Sequence, residues 1–94
     1  MITEGYKYQF ARRVRLQDAE DTLLLALLAA EGIHGRPRVR MDSAYAVDPA
    51  VRTIVVDSST DVGQDVCGIY TSFLTKEFSG QAFDVSPLDK EIQT

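Results

Sequence analysis

Arg12, Arg13 and Arg15, followed by Arg36, Arg38 and Arg40, are the groups in this 94-residue chain whose type and spacing best suit chemistry. The planar guanidinium grips a phosphate or carboxylate through two parallel hydrogen bonds. On a strand, Arg38 and Arg40 would point to one side about 7 Å apart. The spacing allows an arginine-lined sheet face where Arg38 and Arg40, with Arg12 or Arg13, would hold a small anionic ligand. The competing reading is a solvated face neutralised by Asp42 and other acids, the commoner fate of charges on exposed strands.

The remaining reactive side chains are scattered. His34 is the single histidine and Cys67 the single cysteine, and together they lack the three or four ligands of a zinc centre. His34 sits between Gly32 and Gly35, where contact with the last carbonyls of a helix is expected. Cys67 falls beside Val66 on an apolar helix face, which suits a small buried hydrophobe better than a nucleophile. Glu20 and Glu31 lie about 16 Å apart along one helix, too far to share acid and base work on one bond. Gly63 and Gly68 follow Ser58-Ser59-Thr60 without any dinucleotide or P-loop pattern, and Asp57, Asp61 and Asp65 would repel an anion there. No cofactor is expected.

The elements that must position these groups follow from hydrophobic period. Tyr6, Tyr8 and Phe10 alternate with polar residues, the mark of a half-buried strand whose rings enter the core, with a bulge or an end near residues 11–13. Asp18 is the expected N-cap of a helix running to about Glu31, with Ala19, Leu23, Ala26, Leu27 and Ala30 on its apolar arc. Leu24, Leu25 and Leu28 widen that arc beyond what one sheet can cover. Val39, Met41, Ser43, Tyr45 and Val47 read as one face of a second strand, with Arg38, Arg40 and Asp42 opposite. Asp48-Pro49-Ala50 turns the chain into a third strand over 52–57, with Ile54 and Val56 inward.

Val62, Val66, Ile69, Tyr70, Phe73 and Leu74 recur at helical spacing behind several N-cap candidates. The polar side of that helix holds Gln64, Gly68, Thr71 and Thr75, and a glycine there lowers helix stability unless something packs against it. Residues 81–85 form a last short strand that Pro87 stops. The resulting order is βαββαβ in an α+β two-layer sandwich. It resembles the ferredoxin-like architecture, an antiparallel sheet with two helices on one face. The expected organisation is a single domain over 1–94, ordered from about 5 to 88 with a polar tail over 89–94.

Composition narrows the function classes without choosing one. Residues 1–41 carry seven bases against five acids, and residues 42–94 three against nine. The overall charge of −4 argues against a general nucleic-acid binder. The third strand, Arg52 to Asp57, also lacks the rings of an RNA-stacking platform. No apolar run reaches the ~20 residues of a membrane span and the start lacks a signal-peptide pattern, so a cytoplasmic location is expected.

The leading expectation is a small interaction or regulatory module, non-catalytic and homo-oligomeric, with Leu24, Leu25 and Leu28 at the contact. The anionic-ligand module built on Arg12, Arg13, Arg38 and Arg40 is the alternative. An enzyme of the dimeric α+β barrel kind comes third, with His34, Tyr45 and Tyr70 as its proton-transfer groups.

Overall fold

The computed structural model describes residues 2–88. The expected tail over 89–94 lies outside the described residues. Strand β1, Gly5–Phe10, buries Tyr8 and Phe10 and leaves Lys7 and Gln9 in solvent. Tyr6 shares the inward side yet remains 39% exposed, so only two of the three rings enter the core. Gly5 is required at the strand's start, because a Cβ there would sit 2.3 Å from the Val56 carbonyl oxygen. β1 ends at Phe10, and a turn with Val14 N–H donating to Ala11 O carries Arg12 and Arg13 outward.

Helix α1 spans Leu16–His34. Its N-cap position is Arg15, without a side-chain cap, so Asp18 stands in the first turn as favourable charge and is not the cap itself. The helix ends at His34, three residues beyond the expected end, and Gly35 closes it. Its φ of 87° is available to glycine at little cost, and its N–H reaches Glu31 O at 2.9 Å.

A second helix, α2, occupies Arg36–Asp42, where the alternation predicts a strand. Pro37 falls at its start, where a missing N–H costs no helix bond. Val39 alone is buried, while Met41 is 82% exposed. Two turns are too short for a 3.6-residue period to distinguish itself from alternation.

β2, Tyr45–Asp48, and β3, Thr53–Asp57, form the expected antiparallel hairpin, pairing Tyr45 with Val56 and Val47 with Ile54. Helix α3 spans Asp61–Glu77. Thr60 Oγ1 caps it by accepting from Gly63 N–H at 2.9 Å and donates to Asp42 O. Gly63 permits a close approach of helix to strand, since a Cβ would lie 2.2 Å from Asp57 O. β4, Phe83–Pro87, pairs antiparallel with β1, and its proline ends an edge strand where an amide is dispensable.

The four strands form one antiparallel sheet in the order β2-β3-β1-β4. Tyr8, Ile54 and Val56 from the central strands share one core with Leu23, Ala26 and Ala30 of α1 and Val66, Tyr70 and Leu74 of α3. Both long helices therefore cover the same side of the sheet. Tyr8 and Tyr70 meet at that junction with ring centroids 4.8 Å apart. Each buried hydroxyl is satisfied, Tyr70 donating to Ala19 O at 2.8 Å and Tyr8 bonding Thr71 Oγ1 at 2.9 Å. Lys7, Gln9, Ala46, Asp48, Asp84 and Ser86 alternate on the other side and are exposed.

Candidate interaction surface

The arginines expected to share a ligand are kept apart. Arg12 and Arg13 stand in the turn before α1, and Arg38 and Arg40 lie in α2 beyond its far end. Nineteen helical residues rise about 28 Å between the two groups. Within α2, residues two apart point about 200° from each other, so Arg38 and Arg40 share no face. Arg38 is engaged with Asp42 one turn on, at 3.3 Å, an exposed pair of the weakly stabilising kind. The arginine-lined sheet face is thus replaced by two separate basic surfaces.

The three proton-transfer candidates also have separate partners. His34 Nε2 meets Asp65 Oδ2 at 2.7 Å, which ties the end of α1 to α3 in place of the expected contact with the last carbonyls. Tyr45 donates to Glu20 Oε2 at 3.2 Å, and burial together with that carboxylate raises its pKa. Burial likewise raises the pKa of Tyr70, whose proton lies on the Ala19 carbonyl. Among the described residues no hydrogen bond links these three side chains to one another. Cys67 is 5% exposed, and burial pushes its thiol up to about 11, so it is uncharged at neutral pH.

The leucines give a coherent surface. Taking Leu28 as the centre of the α1 wheel, Leu24 lies about 40° to one side and Leu25 about 60° to the other. Buried Ala19, Ala26 and Ala30 fall roughly opposite. Leu24, Leu25 and Leu28 are 44%, 57% and 60% exposed, so the band faces directly away from the core. Asp21 and Gly32, both exposed, continue it in the spacing Asp21, Leu25, Leu28, Gly32, the alternating four and three of helix pairs. Gly32 adds no bulk at one end, and nothing lies within 4 Å of where its Cβ would stand. Beside Leu25 the band runs into an apolar groove of about 310 Å³ between α1 and α3, bordered by Phe73 and by Thr22, which donates to Glu77 Oε1 at 2.7 Å.

Searches of protein-family models, of curated proteins and of solved structures find no match to the chain. No helix among the described residues is long and apolar enough to cross a membrane.

Proposed function

We propose that this chain is a ferredoxin-like interaction module that works as a homodimer, joined through the outward face of α1. The ferredoxin-like reading is supported by the strand order, in which β3 separates β1 from β2 and β1 separates β3 from β4. Each helical crossover then skips one strand, the split arrangement of that architecture. A cytoplasmic setting fits a lone cysteine kept as a buried thiol.

The observation that carries the dimer is the exposure of Leu24, Leu25 and Leu28 in one band directly opposite the buried arc of α1. A chain this small buries a limited share of its surface by folding, and a second copy is the natural cover for the remainder. Charge favours a copy laid antiparallel. Behind Arg15 at its N-cap, α1 carries Asp18, Glu20 and Asp21 in its first turns and no lysine or arginine within the helix, whereas Arg36 follows on its end. A two-fold axis between Leu25 and Leu28 brings the acidic start of one helix towards Arg36 of the other and opposes the helix dipoles favourably.

Sedimentation equilibrium at micromolar concentration tests the reading. The wild-type chain is expected to run at the mass of two chains. Leu28→Glu, an exposed substitution with little effect on folding, is expected to run at the mass of one. A wild-type particle of one chain would contradict it.

A further inference from the structure

We propose that the cavity between the beginning of β1 and the flank of α3 is a binding site for a small organic cation, an amine carried on a flat apolar body. The cavity measures about 570 Å³ and is bordered by Glu4, Tyr6, Tyr8, Gln64, Gly68 and Thr71, with Ser58 at one end and Cys67 at its floor. That volume lies within the range of small-molecule sites, and the lining combines ring surface with a few polar groups, as such sites do. It occupies the flank of α3 away from α1, so the leucine band and the cavity are separate surfaces.

Gly68 is the residue that opens it. A glycine within a helix is destabilising, and nothing in the protein lies within 4 Å of the position its Cβ would take. No neighbour therefore requires the missing side chain; its absence leaves the helix backbone bare at the cavity wall, where a flat group can rest. Tyr6 borders the same cavity, an aromatic ring on the inward side of the sheet that is 39% exposed. The floor is fixed. Tyr8 and Thr71 share a hydrogen bond at 2.9 Å, and Thr71 donates to Cys67 O at 2.8 Å, so both hydroxyls are held by the protein.

Charge selects the ligand class. Among the described residues Glu4 is the one charged group on the lining, and no lysine or arginine borders the cavity. The Asp57 carboxylate adds negative potential at Cys67. The half-exposed Tyr6 ring and the Glu4 carboxylate attract an ammonium group through the ring face and the ion pair. An anion of the same shape meets repulsion and, among the described residues, finds no base.

Titration of the isotopically labelled 94-residue chain with benzylamine, benzyl alcohol and benzoate, followed by amide NMR, separates these contributions. Benzylamine is expected to shift the Gly68 and Thr71 amides to saturation and to bind about tenfold more tightly than benzoate. Glu4→Gln is expected to bring benzylamine down towards benzyl alcohol. Gly68→Leu, for which the fold has room, is expected to abolish binding of both while retaining the wild-type amide spectrum elsewhere and the wild-type mass. Equal binding of benzoate, absence of saturable shifts with benzylamine, or undiminished binding to Gly68→Leu would overturn the proposal.

Discussion

Arg52 joins two turns of the fold through one side chain. Among the described residues it is the one non-glycine with positive φ, 57°, at the end of the turn between β2 and β3. From there its Nη2 donates to the carbonyls of Ala11, at 3.0 Å, and Val14, which close the turn between β1 and α1. The helix that follows has no side-chain cap, so this grip sets the angle at which α1 leaves the sheet. Charge-assisted bonds to partly buried carbonyls are worth about 1.5–3 kcal/mol each in gross terms, and part of that is offset by the unpaired, buried Nε. Arg52→Ala is expected to lower stability by about 2 kcal/mol in urea unfolding. Arg52→Lys is expected to recover part of the loss, because an ammonium keeps the charge and can donate to both carbonyls from a stem of different reach. A midpoint unchanged in both variants would show that the contact is incidental. The sequence carries no sign of this role, since a positive φ at an arginine is invisible to patterning and the residue reads as the start of β3. Cys67 is the opposite case, its position beside Val66 on a periodic apolar face being enough to foresee burial.

At the scale of elements, legibility follows length. The seventeen residues of α3 repeat their apolar positions over several turns, and the strands of the hairpin alternate cleanly, so their faces are readable in advance. α2 is not: Arg36, Arg38 and Arg40 alternate with Pro37, Val39 and Met41, and seven residues offer no second period to overrule a strand. That single misreading is what placed Arg38 and Arg40 side by side. The seating of α3 on the sheet makes a prediction of its own. Cys67 packs under the helix against β3, its Sγ 3.9 Å from Val56 O, and its folded pKa of about 11 stands above the ordinary value of 9.0. The unfolded chain therefore releases this proton first as pH rises. The associated stability is complete below pH 9 and is lost progressively up to about 11, amounting to about 3 kcal/mol at most. Tyr8 and Tyr70 shift the same way from 10.0, so the onset between 9 and 10 belongs chiefly to the thiol. Urea unfolding against pH is expected to show that early decline in the wild type and to lack it in Cys67→Ala. The same slope in both would place the cause elsewhere.

For the whole molecule, one layer of strands is covered on one side by α1 and α3, and two surfaces are left with features that solvent alone does not explain. The leucine band is legible in the sequence because all its members belong to one helix, and an apolar arc wider than a sheet can cover is countable on a wheel. The cavity is not legible, because it is assembled from Glu4 and Tyr6 at one end of the chain and from Gln64, Gly68 and Thr71 some sixty residues later. Gly68 on the polar side of a well-patterned helix is its only trace. The most direct test is a disulfide-trapping measurement on mixed chains that carry Asp21→Cys or Gly32→Cys, both in a Cys67→Ala background. An antiparallel contact centred between Leu25 and Leu28 places position 21 of one chain against position 32 of the other and separates like positions by about 16 Å. The mixed 21–32 dimer should accordingly dominate on oxidation. Dominance of 21–21 and 32–32 dimers, or no trapping above that of a monomeric control, would contradict the pairing.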